Sequence, residues 1–579
     1  MTWPALVQYV IFLILVSLLV APAGRYLERV FTNGATIFDP VLRPVERAIY
    51  RVSGVNAERE MDWKEYAGAF VRFGALGAVL LYLILRIQEH LPWWQSAYLT
   101  TEMTPNLAAN TAVSFSTGTT WQAYAGETTM SYFSQMVGLT AQNFLAGAAG
   151  LSIGMAFIRG LARHDTARLG NFWVDLARSL LWVLLPVSIV GALVLVWQGV
   201  PANLDSFTSV HTLSGEAQVI AQGPVASLEF VKSFGSNGGG FFSVNSAHPF
   251  ENPTPLTNLI EMLAIIVVPA ALTHTFGRMT GNTRHGWLLY SVMIGIFVSG
   301  LVIAGWAEQN GNPLLTEAGA HQETMLNGAN SAGGNMEGKE VRFGVGGSVL
   351  AAITTSNGAT GSYNSMHDSY TPLGGAIPLV NMLLGEMVFG GLGTGIFSIV
   401  IVALLGIFLC GLMVGRTPEY LGKRLTPVET KPIVIYMLIG SVSILVPTAI
   451  TLATPQGVAG LTTNTGAHGL SEIVVAFASA FANNGQSFAG ISANSPFYNY
   501  ATALVMLAGR IGLGVTALYL AGTFAAQGRR QPSVGAFPVN SLLFALVIVG
   551  TAILVVLLSY APALALGPIF EDRLMRAGS

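Results

Sequence analysis

The residues of this chain best suited to chemistry are neutral oxygen donors gathered in four short polar clusters. They are Thr117, Gly118, Thr119, Thr120 and Gln122; Ser236, Asn237, Gly238, Gly239 and Gly240; Thr360, Gly361, Ser362, Tyr363 and Asn364; and Asn483, Asn484, Gly485 and Gln486. No cluster contains Asp or Glu, whereas a calcium or magnesium site is expected to use carboxylates. Rings of backbone carbonyls, helped by hydroxyl and amide oxygens, replace the water shell of a monovalent cation without a fixed negative charge. A strand that turns successive carbonyls to one side needs backbone angles that glycine adopts at little cost. The clusters are read as the strands of an ion filter, with a dehydrated monovalent cation as the ion that fits best.

Each cluster ends a short apolar segment, at 106–116, 224–234, 347–355 and 470–482. A bilayer crossing needs about 20 residues, so these segments enter the membrane and do not cross it. A half-crossing helix, an extended glycine loop and a return to the surface is the re-entrant arrangement that builds selectivity filters. It also aims the partly negative C-terminal end of each short helix at the cation. With Gly118, Gly238, Gly361 and Gly485 taken as equivalent, the intervals are 120, 123 and 124 residues. That near-constant spacing marks an internal fourfold repeat. Asn245-Ser246-Ala247-His248, Asn364-Ser365-Met366-His367 and Asn494-Ser495-Pro496 echo one another downstream in the same register.

The composition demands elements that live in lipid. Of the 579 residues 52% are hydrophobic and 10% charged, against roughly 25% charged in soluble proteins. An all-α polytopic membrane protein is predicted, with ten spans at about 3–22, 66–87, 131–158, 171–198, 256–276, 285–304, 378–413, 432–453, 499–526 and 540–566. The net charge of −2 argues against a nucleic-acid partner, and the single Cys410 excludes an internal disulfide. Of the 27 lysines and arginines, 18 fall in alternate connections, while those carrying the filter strands hold only Lys232, Lys339 and Arg342. By the positive-inside rule the filter opens outward and both termini lie outside. Arg25 and Arg29 follow the first apolar run, the opposite polarity to a signal peptide, so that run is read as an uncleaved helix. The expected organisation is an N-terminal helix and inner loop (1–60), four pore repeats of helix, re-entrant loop and helix (61–165, 166–280, 281–425 and 426–530) and a C-terminal helix (531–579). Residues 33–62 are read as a solvated inner loop and 310–340 as an exposed outer one.

A few other residues stand out. Arg510 sits in mid-span, where a charge is costly unless paired or facing a wet cavity. Glu386 precedes a glycine run that includes Gly390, Gly391 and Gly393, and Arg416 opens the next inward loop. A gate or electrostatic barrier is the preferred reading of Glu386 and Arg510, with a structural ion pair as the plainer one. Arg416 reads equally well as a positive-inside anchor. The run at 390–395 lacks the strand-turn-helix setting of a nucleotide loop. His248, His367 and His468 are read as capping or packing residues and not as metal ligands, and Asp368 as a cap on the turn after the third cluster. Neither a Gly-x-x-x-x-Gly-Lys-[Ser/Thr] loop nor an Asp-Lys-Thr-Gly-Thr phosphorylation sequence is present. The chain is expected to bind no nucleotide and to catalyse nothing by itself.

The motifs TTWQ (119–122), SNGGGFF (236–242), NSAHPFENP (245–253), MHDS (366–369), GRTPEYLGK (415–423) and NNGQSFAG (483–490) closely resemble the potassium-binding and translocating subunit of the Kdp-type potassium-transporting ATPases. The resemblance covers nearly the whole chain. It implies the fold of the superfamily of K+ transporters, in which four pseudo-repeats of one chain imitate a tetrameric channel. It also implies a bacterial-type plasma (inner) membrane, a separate P-type ATPase subunit that hydrolyses ATP, and two small accessory membrane subunits. Potassium taken from outside would leave sideways through an intramembrane tunnel toward the ATPase subunit. Gln122 would be a potassium-sensitive position, and the break after Glu386 would gate passage below the filter. Gly118 and Ser236 stand where Asn and Thr are common in the family, and Thr360 where Cys occurs; oxygen ligands survive these changes. The rival readings are a passive channel-like uptake subunit of the Trk and Ktr class and a secondary symporter. The symporter would bring inverted repeats.

Overall fold

The computed structural model describes residues 2–577 apart from 96, 324, 327–328, 331–332, 416–417 and 530–536. It is a helical membrane protein in which, among the described residues, ten helices are long and apolar enough to cross a bilayer. Several begin with the same local device. Thr254-Pro255, Thr371-Pro372, Thr426-Pro427 and Ser495-Pro496 each place a hydroxyl at the N-cap, where it accepts from a first-turn amide, and a proline at the first helical position. Such a cap satisfies an orphan N–H, and proline there sacrifices no hydrogen bond. Asp62 does the same for Trp63–Ile87 in a reciprocal capping box with Glu65.

The spans differ in how deeply they are buried within the chain. The most apolar stretch of Ser134–Ala162 is 89% buried, against 22% in Trp63–His90 and 28% in Pro427–Ala453. Ser134–Ala162 is therefore the central post, while the other two expose stripes such as Val79, Leu80 and Leu83, or Leu438, Val442 and Val446. The post can be approached closely because Gly147, Gly150 and Gly154 lie on its inner face, where a Cβ would strike Gly235, Leu392 or Gly393. Small residues on a helix face allow this backbone contact. At its far end Arg159 grips Asp175 in a two-pronged pair (2.5 and 2.8 Å), and Tyr66 donates to the same carboxylate at 2.8 Å.

One span and two loops depart from the sequence-based expectation. The apolar run at 378–413 is two helices, Pro372–Leu383 and Thr394–Val414. The residues between them contain five positive φ angles, at Gly385, Glu386, Phe389, Gly391 and Gly393. The helix of the last repeat runs through a π-helical turn, Ala508–Gly512, which carries Arg510. Within the charged stretch 33–62 a 15-residue helix forms, Asp39–Ser53. The GRTPEYLGK motif forms a small hairpin, Glu419–Tyr420 paired with Lys423–Arg424. Lys423 Nζ donates to Gly160 O (3.2 Å), Arg163 O (2.5 Å) and Phe524 O (2.5 Å), so one buried lysine caps the ends of two helices.

Candidate functional site

Four half-helices, Pro105–Thr117, Val225–Phe234, Gly344–Asn357 and Gly466–Phe481, converge on the four polar clusters. Each ends identically. The amide of Thr119 donates to Ser114 O (2.9 Å), Asn237 to Lys232 O (2.9 Å), Thr360 to Thr355 O (3.2 Å) and Asn484 to Ser479 O (3.0 Å). Every strand thus turns one N–H back to the carbonyl five residues earlier, which leaves its own carbonyls to face elsewhere. Around that amide two residues adopt positive φ: Gly118 and Thr120, Ser236 and Gly238, Ala359 and Gly361, Asn483 and Gly485.

This pattern corrects the register read from the sequence. Thr120 (φ 53°), not Gly118, stands level with Gly238, Gly361 and Gly485 (φ 74–83°), and Gly118 is level with Ser236, Ala359 and Asn483. The four strands close a ring at that level. A side chain on Gly238 would run into Thr360 O, one on Gly361 into Asn484 O, and one on Gly485 into Thr119 O. Only a glycine meets both the left-handed angle and the approach of the next strand. At the fourth junction Thr120 keeps its side chain, whose hydroxyl donates to Asn237 O at 2.5 Å.

Further bonds lock neighbouring strands. Gln122 Nε2 donates to Gly240 O (3.0 Å) while its Oε1 accepts from Gly240 N (2.9 Å). Asn245 Nδ2 donates to Gly361 O, and Ser246 N donates to Tyr363 O at 2.9 Å. Asn484 Nδ2 donates to Thr355 O at 3.1 Å, and Asn483 Nδ2 to Thr119 Oγ1 at 2.9 Å. Gln486 bonds the His367 ring at 2.5 Å. Asn364 lies further back, donating to Asn258 Oδ1 at 2.8 Å, and helps support the third strand from behind.

Above the ring lies an open vestibule of about 520 Å³, lined by Gln122, Asn245, Tyr363, Gly485 and Phe488 among others. Below it, a small cavity of about 20 Å³ is bounded by Gly118, Ser236, Asn237, Ala359, Asn483, Glu386, Gly391 and Arg510. A cavity of about that size holds one water or a bare ion. Arg510 donates to Ala146 O at 2.5 Å, and Thr394 lines the same cavity as Glu386. Arg510 and Glu386 share this cavity, and among the described residues no ion pair joins them directly. Gly390 and Gly393 belong to the segment that floors it. Arg416 lies outside the described residues.

The histidines divide. His248 accepts from Phe250 N at 3.0 Å and stacks on Phe242 at 3.9 Å. Burial pushes it down to about 4, with Arg342 adding to the effect. Burial pushes His367 down to about 3, with the Lys339 ammonium adding. Both are neutral rings that cap or pack. His468 instead bridges Asp368 (2.7 Å) and Glu571 (2.6 Å), with Glu472 beside it at 3.8 Å. Asp368 is therefore a link from the third repeat to the fourth and not a cap on its own turn. Three distant stretches meet in this cluster, and no local spacing foretold it. The reading from sequence also passed over Lys232 as a site residue, although a lysine inside an apolar half-helix was a visible signal.

The sequence family described as the potassium-transporting ATPase A subunit matches residues 10–572. A potassium-transporting ATPase potassium-binding subunit of Koribacter versatilis is 47% identical over 99% of this chain and 98% of its own length. Proteins of the same description from Methylobacterium nodulans and Rhodospirillum centenum are each 47% identical over 100% of this chain and 99% of theirs. The chain belongs to the potassium-transporting ATPase A subunit family.

Proposed function

We propose that this chain is the potassium-binding subunit of an ATP-driven uptake complex and selects potassium at the ring of four strands. The carrying observation is the shared helix ending. Four amides turned to the i−5 carbonyl leave four sets of strand oxygens around one axis, with no carboxylate in any strand. Such a ring can replace a potassium ion's water at low cost. The residues that would hold the ion are the strand residues 117–120, 236–238, 360–363 and 483–485, with Gln122, Gly239, Gly240, Asn364 and Gln486 as supports.

The ion enters from the vestibule and rests above Arg510. A fixed guanidinium under the ring opposes straight passage, because a like charge at about 4 Å costs roughly 4 kcal/mol at an effective dielectric constant of 20. The open direction is sideways. The cavity under the ring adjoins a second one that shares Glu386, Thr394 and Arg510. Leu513 links that one to a third, lined by Ser398, Tyr436 and Tyr560 on the flank of the bundle. Glu386 gives a cation leaving the ring its first negative partner, and the broken segment 384–393 is the part able to move. A separate P-type ATPase subunit receives the ion there and hydrolyses ATP, with two small accessory membrane subunits completing the complex in a bacterial plasma membrane. The ring faces outward by the charge asymmetry of the connections.

Material co-purified on this chain should hydrolyse ATP in saturable response to potassium, and the chain expressed alone should not. Absence of any ATPase, with downhill potassium flux through the lone chain in vesicles, would replace this reading with a passive channel.

A further inference from the structure

The four half-helices end alike in their backbones, yet one of them ends on a buried charge. The residues whose carbonyls receive the closing amides are Ser114, Lys232, Thr355 and Ser479. In the first repeat Ser114 Oγ donates to the carbonyl seven residues on, Trp121 O, at 3.1 Å. In the second, Lys232 Nζ reaches the carbonyl at the same offset, Gly239 O, at 2.6 Å. In the third and fourth, the hydroxyls of Thr355 and Ser479 have no partner among the described residues.

The ammonium is fully buried and paired with the equally buried Glu229 at 2.7 Å. Ser246 Oγ donates to the other oxygen of that carboxylate at 2.7 Å. Glu251 backs the same strand, accepting from Phe242 N at 3.1 Å. Taking a lysine and its partner out of water is expensive, and the first repeat shows that a serine can make the corresponding bond. The charge adds something a hydroxyl does not. A charge-assisted bond is about twice as strong as a neutral one, so Gly239 O is committed to the ammonium and the second strand is fixed. At this level the outer ring has lost the carbonyls of Trp121 and Gly239 to donors behind them.

We propose that Lys232 sets the cation specificity of the ring by withdrawing the Gly239 carbonyl from the ligand set and holding the second strand rigid. A pinned strand resists the contraction that a smaller cation would need. The proposal rests on reading the ring as the potassium site.

The test uses the complex purified on the full chain. Saturable stimulation of wild-type ATP hydrolysis by potassium comes first, and its absence would sink the underlying reading and not this proposal. Lys232→Met keeps the length and apolar stem and removes the charge. The assembled variant should need about tenfold more potassium for half-saturation, the loss of one charge-assisted bond, with the maximal rate little changed. The ratio of half-saturating sodium to half-saturating potassium should fall with it. Lys232→Ser, which installs the first repeat's donor, should restore part of that ratio. A purely structural lysine would alter yield or melting temperature and leave the ratio alone. Wild-type ratios in both variants would overturn the proposal, and so would failure of both to assemble, which would assign the lysine to folding.

Discussion

The inner and outer levels of the ring obey different symmetries. At the inner level all four strands follow one rule: an amide bonded to the i−5 carbonyl, with a left-handed residue on either side. One level out the strands divide: the half-helices before the first two restrain a carbonyl from behind, and among the described residues those before the last two leave their hydroxyls unpartnered. Backbone conformation alone enforces the fourfold part, because the left-handed angles and helix ends tolerate little variation. Side chains behind the strands impose the lower symmetry, and they diverge freely. Thr120 shows how far the inner rule bends. A threonine at φ 53° carries strain of order 1–2 kcal/mol, and its hydroxyl bond to Asn237 O offsets part of it.

The largest effect should come from breaking the inner rule. Gly238→Ala places a methyl group against Thr360 O at a left-handed angle. Half-saturating potassium in the stimulated ATPase assay should rise by more than about 100-fold, equivalent to about 2.7 kcal/mol. Thr120→Ala, at the same level, removes only the hydroxyl bond and should cost about tenfold. Equal tolerance of the two alanines would show that the four positions are not equivalent. Next in size is the charge beneath the ring. Arg510→Met leaves that cavity without its cation, and potassium flux down a gradient in vesicles without ATP should rise roughly 50-fold, corresponding to about 2–3 kcal/mol. An unchanged leak would remove Arg510 as a barrier.

Much of this was legible in the sequence because the repeat preserves backbone constraints. The apolar segments at 106–116 and 224–234 match Pro105–Thr117 and Val225–Phe234 to within a residue. The shift at the first strand was not legible: Gly118 is the only glycine of TTWQ's neighbourhood, and a glycine draws the alignment even when the structure puts a threonine at the equivalent level. The break after Leu383 was visible as a glycine run within 378–413, but apolar residues on both sides of it hid where the helix stopped. Long-range partners left no local trace. Nothing near His468 points to Asp368 or Glu571, and nothing near Lys423 points to the carbonyls of Gly160 and Phe524.

The outer ties separate the two halves of the ring by smaller margins. Between the first and second strands, Gln122 makes two hydrogen bonds to the backbone of Gly240. Gln122→Ala should raise half-saturating potassium about tenfold, near the net worth of one such bond, about 1.4 kcal/mol. Gln122→Glu keeps the acceptor for Gly240 N and loses the donor, and should fall between. An alanine variant with wild-type affinity would show that this tie does not shape the site.

The corresponding tie between the third and fourth strands is a histidine, and it makes the comparison sensitive to pH. His367, bonded to Gln486, is pushed down to about 3 in the folded chain, against about 6.5 when unfolded. The folded state therefore favours the neutral ring. Its contribution is present above pH 6.5 and is lost as the pH falls from 6.5 toward 3, because only the unfolded chain takes up the proton. His248, down to about 4, has the same sign over a slightly narrower window. At pH 5 each should cost about 1–2 kcal/mol. The apparent melting temperature of the purified protein should fall between pH 7 and pH 5, and His367→Gln should flatten that slope. Gln122, the tie between the first and second strands, does not titrate, so Gln122→Ala should leave that slope unchanged. A slope unchanged in His367→Gln would mean that the ring is already charged in the folded protein, and would remove this difference between the two halves.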